Sequence, residues 1–250
     1  MPISLILAIA ALLQPANQDA FISEAREIAL HYTQSLPNFV CDQDTDRYVN
    51  YHGDKKDGKF NRLDRYTTRL TYNGVTEDYQ LVAINGKPVR NKTLESLGGT
   101  ISKGDFASAL KFIFAAASEA KFEWDSEITI RDRQCDVFNY AVDRNHSRLR
   151  IVEGGTGEAY QTAYRGMVYI DRETKHTLKL TINSEDIPPG FPIQATSQEL
   201  DYGFAIIGGE SYLLPFDSDV RMLRGHELTR NVSHYGNYRK FAADANITFH

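Results

Sequence analysis

Apolar and charged residues alternate between residues 122 and 131, and this is the clearest pattern in the chain. The apolar positions are Phe122, Trp124, Ile128 and Ile130, and Glu123, Asp125 and Glu127 fall between them. Because successive side chains of a β-strand point to opposite faces, this spacing predicts a strand with one buried face and one charged face in water.

Further strand patterns recur at intervals of roughly ten residues, as in an antiparallel meander. Asn73–Gly74 joins two of them, and this dipeptide is a strong signal for a two-residue hairpin loop. The predicted strands are 44–51, 62–72, 76–84, 120–131, 135–142, 148–152, 160–170, 176–182, 192–202, 210–215 and 220–233. Their number indicates one extended antiparallel sheet.

Two segments have helical spacing instead. Residues 19–35 place apolar side chains on one face and end before Pro37, and residues 102–117 begin with a capping-box sequence. The apolar face of the second helix consists of Phe106, Leu110, Ile113 and Phe114. We therefore predict an α+β fold: a large curved antiparallel β-sheet, or incomplete β-barrel, with helices covering its concave face.

The N-terminus has features of an export signal. Apart from Ser4, residues 3–13 are apolar, a length that suits the core of a signal peptide and is too short to span a bilayer. We predict a signal peptide over residues 1–18, a single domain over residues 19–250, and a periplasmic or secreted protein without a transmembrane helix in its mature chain. The lack of Lys or Arg at the start leaves a buried N-terminal helix as the alternative.

The 2 cysteines, Cys41 and Cys135, have two open interpretations. In an exported protein they can pair and close a loop of about 95 residues, which would stabilise the fold by roughly 4–5 kcal/mol in the chain-entropy model. Alternatively, both are unpaired buried thiols. Neither the cysteines nor the 7 histidines are spaced as metal ligands, so we predict no metal site and no cofactor.

Charge and motif content exclude some classes of function. The chain has 250 residues and a formal net charge of −5, which gives no basic footprint for nucleic acid. It contains no G-x-S-x-G or Cys–His signature for nucleophilic catalysis. A carboxylate-dependent hydrolase would instead need two acidic residues to converge in a β cleft. The acidic candidates are Glu123, Asp125, Asp143, Glu153 and Asp201.

A curved sheet with an apolar concave face suggests a pocket for an apolar ligand, such as an acyl chain or an apolar peptide segment. The pocket candidates are Phe106, Leu110, Ile113 and Phe114 on the helix, and Phe122, Trp124, Phe138 and Tyr140 on the sheet. The alternative is that the same side chains form a closed core without space for a ligand.

Residues 164–174 read Tyr-Arg-Gly-Met-Val-Tyr-Ile-Asp-Arg-Glu-Thr, and an alternating strand follows at 177–182. The form G-x-V-x-I-D-x-x-T before such a strand resembles the periplasmic lipoprotein-carrier superfamily, the LolA and RseB-like half-barrels. Residues 35–41 and 237–241 resemble uncharacterised exported bacterial proteins of the acidobacterial type.

This resemblance implies an exported, non-enzymatic protein that holds a lipid, a lipoprotein acyl chain or an envelope protein in a half-barrel. It transfers no individual functional residue. Two other functions stay open, namely the carboxylate-dependent hydrolase and a structural or adaptor domain that pairs with an envelope protein through a sheet edge.

Overall fold

The structure is a computed structural model that describes residues 14–53, 58–74, 76–101, 108–154 and 156–241. Its main feature is an eleven-stranded antiparallel sheet with two α-helices packed on one face. The sheet is open at both edges rather than closed into a barrel. The predicted fold class, a large curved antiparallel sheet covered by helices, is confirmed.

The helices are α1 (Gln14–Ser35) and α2 (Ser108–Phe114), and short 3-10 turns lie at Glu95–Leu97 and Ala116–Ser118. The strands are β1 (Phe39–Asn50), β2 (Asn61–Tyr72), β3 (Glu77–Ile84), β4 (Lys87–Pro88), β5 (Lys121–Ile130), β6 (Arg133–Val142), β7 (Arg150–Val152), β8 (Ala159–Gln161), β9 (Ala163–Asp171), β10 (Thr177–Glu185), β11 (Ile193–Ile207), β12 (Glu210–Arg224) and β13 (Glu227–Lys240).

The strand order of the sheet is β4-β3-β2-β1-β13-β12-β11-β10-β9-β6-β5. The first and last long strands, β1 and β13, pair with each other inside the sheet. One edge consists of β3 and the two-residue β4, and β5 forms the other edge. β7 and β8 form a separate two-stranded hairpin. The sheet therefore consists of two meanders, β1 to β4 and β5 to β13, and the pairing of β13 with β1 joins them.

The largest cluster of buried side chains lies between the helices and the concave face of the sheet. The helical contributions are Ile22, Ala25, Ala29 and Tyr32 from α1, and Ala109, Leu110, Ile113 and Phe114 from α2; Leu36 joins them directly after α1. Both sets recur at three- and four-residue intervals, the spacing that puts side chains on one face of a helix. Sheet side chains in the same cluster extend from Leu70 on β2 to Tyr140 on β6.

The predicted buried face of β5 is wrong in the middle of the strand, where Trp124 is 36% exposed and Ile128 is 45% exposed. A bulge between Trp124 and Ser126 places an extra residue of β5 opposite β6, which breaks the alternation of faces. β5 also has a neighbouring strand on one side only. Before the bulge, Phe122 still stacks on Phe114 of α2, with 5.6 Å between the ring centroids.

Cys41 on β1 and Cys135 on β6 are buried free thiols, which corrects the predicted disulfide. The five strands β13, β12, β11, β10 and β9 separate β1 from β6 in the sheet. A disulfide needs Cα atoms within about 7 Å of each other, and adjacent strands are already about 4.8 Å apart. The alternative interpretation of two unpaired buried thiols therefore describes the structure.

The predicted signal peptide, residues 1–18, lies mostly outside the described residues, and α1 already begins at Gln14. Within the described ranges, no helix is both long enough and apolar enough to cross a bilayer. Export and the single domain over residues 19–250 stay predictions.

Candidate functional site

A cavity of about 310 Å³ lies between α2, β7 and the concave face of strands β10 to β12. We call it the α2 cavity. α2 contributes Ala109 and Phe112, and the sheet contributes Ile182, Val220 and Met222. Leu149, Ile151, Val152 and Ile101 add further apolar lining. The cavity is thus a mainly apolar space beside the closed core.

α2 is held so that one face fills the core while another borders the cavity. Leu110, Ile113 and Phe114 are at most 1% exposed and point into the core. The hydroxyl of Tyr164 on β9 donates to the carbonyl oxygen of Phe112. At the end of the helix, the Ser118 hydroxyl donates to the carbonyl oxygen of Ile113 at 2.8 Å. These two contacts fix the cavity-facing Phe112.

The β7–β8 hairpin forms the second wall, and a buried carboxylate fixes its loop. Glu153 is 3% exposed and accepts hydrogen bonds from the Thr156 backbone N–H at 2.6 Å and the Thr156 hydroxyl at 3.0 Å. Its other oxygen pairs with Arg224 of β12 at 2.9 Å. A small apolar cluster that includes Ile151 and Phe191 packs under the hairpin. The hairpin is therefore attached to the main sheet by both charge and packing.

The segment that precedes the second helical region forms the third wall, and polar contacts attach it to the sheet. Arg47 of β1 donates to the carbonyl oxygen of Gly98 at 2.6 Å. The Thr100 hydroxyl is 2.5 Å from the Thr229 hydroxyl, and the Asn231 amide donates to the Thr100 carbonyl oxygen at 2.7 Å. These contacts place Thr100 and Ile101 at the cavity.

Arg47 is itself held in place by a carboxylate. Its Nε and Nη2 atoms donate to the two carboxylate oxygens of Asp64 at 2.7 and 2.6 Å. This hydrogen-bonded pair is the main reason that the pKa of the buried Arg47 guanidinium is raised. Arg47 therefore stays charged, and its third donor is free to anchor Gly98.

A buried polar strip lies next to this wall, on the concave face of β1, β2 and β13. Gln43 donates to the Tyr235 hydroxyl at 3.0 Å and accepts from the Thr68 hydroxyl at 2.7 Å. Thr45 and Ser233 are joined by a hydroxyl contact of 2.8 Å. Because these groups satisfy one another, the strip is a structural network. The sequence analysis missed it, although neutral Gln43 and Thr45 alternate with Asp42, Asp44 and Asp46 in the sequence of β1.

The structure distributes the pocket candidates of the sequence analysis over several places. Leu110, Ile113, Phe114, Phe138 and Tyr140 are buried in the core, Phe122 is half-buried, and Trp124 is exposed on the edge strand. Phe106 lies outside the described residues. Phe122 and Phe138 border a separate cavity of about 300 Å³ against α1. A ligand-binding role of these residues stays a prediction.

Three of the five acidic candidates for hydrolysis, Asp125, Glu153 and Asp201, have separate partners. Asp125 accepts a hydrogen bond from the Asn139 amide at 3.0 Å, and Asp201 lies 3.6 Å from the Lys179 ammonium. Burial raises the pKa of Asp201, although Lys179 opposes this effect. In the described part of the chain, no group of three or more His, Cys, Asp or Glu side chains could hold a metal ion.

No family model and no curated protein matches the chain. The chain is similar to a solved DUF1329 family protein from Desulfovibrio piger, with 12% identity over 92% of this chain and 94% of that chain and a TM-score of 0.40. It is also similar to an outer membrane lipoprotein-sorting protein domain from Vibrio parahaemolyticus, with 10% identity over 87% of this chain and 90% of that chain and a TM-score of 0.37. A LolA superfamily protein from Nitrosomonas europaea has 11% identity over 90% of this chain and 93% of that chain, with a TM-score of 0.33. The LolA superfamily, which the motif at residues 164–174 predicted, is thus among the matches. At these TM-scores the matches transfer no residue role and no function.

Proposed function

We propose that the chain is a non-enzymatic binding protein that takes an apolar ligand, such as the acyl chain of a lipid or lipoprotein, into the α2 cavity. The observation that carries this proposal is the mainly apolar space of about 310 Å³ between α2 and the concave face. Ligand pockets in proteins are typically concave, mainly apolar and roughly 300–1,000 Å³ in volume. The α2 cavity is at the small end of this range, which favours one chain over a bulky ligand.

The energetics of such a ligand come from its methylene groups. Each buried methylene contributes about 0.8 kcal/mol, so a segment of roughly six carbons would contribute about 5 kcal/mol before the entropy cost of association. Polar groups at Thr100, Thr196 and Gln198 also border the cavity. The Thr100 hydroxyl is already bonded to Thr229, so the Thr196 hydroxyl is the group proposed to bond to the polar end of a ligand, while the apolar lining surrounds its chain.

The proposed setting is the cell envelope. The apolar run at residues 3–13 supports export, and an exported carrier would meet lipids, lipoproteins or envelope proteins as partners. The edge-pairing alternative has its own support in β5, which is ten residues long and exposes Trp124 and Ile128.

Filling the cavity is the direct test. Val220 lines it and is 9% exposed, so we expect Val220→Phe to occupy part of the space and reduce binding of a fluorescent fatty acid at least tenfold. The added ring has apolar neighbours, so thermal unfolding should be unchanged or shifted slightly upward. Fluorescence titration, with displacement by the unlabelled fatty acid, measures the affinity.

Val232→Phe is the matched control. Val232 pairs with Asp219 of β12, one position from Val220 and on the opposite face of the sheet. The same increase in side-chain volume there should leave binding unchanged. Absence of saturable uptake by the wild-type protein, or equal binding by both variants, would contradict a ligand site at the α2 cavity.

A further inference from the structure

We infer that the ligand of the α2 cavity is an anionic amphiphile, whose carboxylate or phosphate group lies beside Arg150 while its apolar chain occupies the cavity. This inference rests on the proposed function and adds the charge of the ligand to it. Arg150 is the first residue of β7 and belongs to the cavity wall.

The charge of the cavity wall is opposite to that of the chain. The formal net charge of the protein is −5, and its 33 acidic residues outnumber its 28 Lys and Arg. Arg150 and Arg221 are nevertheless the charged residues along the cavity lining, with no Asp or Glu among the lining residues in the described ranges. Asp219 neutralises Arg221, so the unpaired positive charge at the cavity is that of Arg150, which favours an anion there over a neutral or cationic group.

Of the two arginines, Arg150 is the one with unused hydrogen-bonding capacity. Arg221 donates to both carboxylate oxygens of Asp219 at 3.2 and 3.1 Å. The nearby Arg224 is paired with the buried Glu153. The Arg150 side chain is exposed and has no hydrogen bond, ion pair or ring contact with another residue of the described ranges.

The surroundings of Arg150 suit a molecule with two chemically different ends. Its neighbours Leu149 and Ile151 line the same cavity and are apolar. An arginine stem can lie along such a surface while its guanidinium stays in water. The planar guanidinium presents two parallel N–H donors, which match the oxygens of a carboxylate or phosphate. A fatty acid or an alkyl phosphate satisfies both ends of this arrangement.

Head-group selectivity tests the inference. Dodecanoate, dodecyl phosphate, dodecanol and dodecylamine are compared as competitors of a neutral fluorescent apolar probe bound to the full chain. We expect the two anions to compete about fivefold more strongly than dodecanol, because an exposed ion pair with Arg150 would increase the affinity by about that factor. Dodecylamine should be the weakest competitor. Acetate and inorganic phosphate, which lack a chain, should not displace the probe. The selectivity should fall at high salt.

Arg150→Gln should remove this selectivity while dodecanol competes as before. Arg148→Gln is the matched control. Arg148 lies two positions from Arg150, is exposed and is outside the cavity wall, so the variant removes the same charge at a place that the ligand does not contact. Equal competition by dodecanoate and dodecanol in the wild type, or unchanged selectivity in Arg150→Gln, would overturn the anionic ligand and leave the proposed function intact. Failure of every chain-bearing competitor would overturn the proposed function itself.

Discussion

Asp171 ends β9 and organises the turn to β10. One of its carboxylate oxygens accepts hydrogen bonds from the backbone N–H groups of Glu173 and Thr174 at 2.9 and 2.7 Å, and from the Thr174 hydroxyl at 3.0 Å. Arg133 of β6 donates to both oxygens of the same carboxylate. The I-D-x-x-T part of the sequence motif is therefore a turn-forming device, and its residues need no ligand to explain them.

The acid sensitivity of this turn follows from the pKa of Asp171. Burial alone would raise that pKa, but the Arg133 and Thr174 hydrogen bonds outweigh it and lower the pKa to about 2. A lowered carboxyl pKa stabilises the fold above the unfolded value near 4, and the contribution is lost as the pH falls towards 2. We expect Asp171→Asn to lower the free energy of unfolding by about 2 kcal/mol at pH 7 in urea titrations.

The same titrations at lower pH separate this effect from a simple loss of packing. The difference between wild type and Asp171→Asn should shrink between about pH 4 and pH 2, because the wild-type carboxylate becomes protonated there. Asp125→Asn is the control, since Asp125 is exposed on the edge strand, and its change should stay below about 0.5 kcal/mol. A pH-independent difference for Asp171→Asn would contradict the electrostatic explanation.

Gly166 lets a tyrosine join three strands. It lies on β9 directly opposite Tyr140 of β6. The Tyr140 hydroxyl donates to the carbonyl oxygen of Thr181 on β10 at 2.7 Å, and the Thr181 hydroxyl accepts from the Met167 N–H at 2.9 Å. A Cβ on Gly166 would lie 1.9 Å from that carbonyl oxygen. The glycine of the motif thus permits a close approach between neighbouring strands.

We expect Gly166→Ala to destabilise the protein by at least about 2 kcal/mol, because the strands must move apart and the Tyr140 hydrogen bond is disturbed. Gly203→Ala on β11 is the control, since a Cβ there would meet only the Phe216 side chain at 3.6 Å, an ordinary contact. Thermal unfolding of both variants measures the difference. A Gly166→Ala protein as stable as Gly203→Ala would show that β9 and β10 adapt without cost.

At the scale of elements, periodicity predicted most strands and α1 but neither the bulge nor the residues that line the α2 cavity. Both edge and interior strands can show the same alternation, so the pattern around Trp124 could not reveal that β5 has a single neighbour or that its register shifts. The cavity residues Phe112, Ile182 and Val220 come from three distant segments. Only the order of strands in the sheet brings them together, and local spacing carries no such information.

The whole molecule is organised around the pairing of β1 with β13. Asp42 pairs with Gly236 and Asn50 with Leu228, so the first and last long strands meet inside the sheet. The largest core cluster contains both Cys41, on the β1 side, and Cys135, on the β6 side. Because one cluster connects these distant strands, we expect the sheet and its helices to unfold as one cooperative unit.

The two thiols can test this expectation in the unmodified protein. Burial raises the pKa of the Cys41 thiol above its usual range and that of Cys135 to about 11, so neither forms the reactive thiolate readily near pH 8 while the fold is closed. In pulsed alkylation across a urea series, followed by peptide mass spectrometry, both should become labelled at the same urea concentration as the loss of circular dichroism. Labelling of Cys135 at a clearly lower urea concentration than Cys41 would mean that the β5–β6 side opens independently. In that case residues 19–250 would contain more than one folding unit.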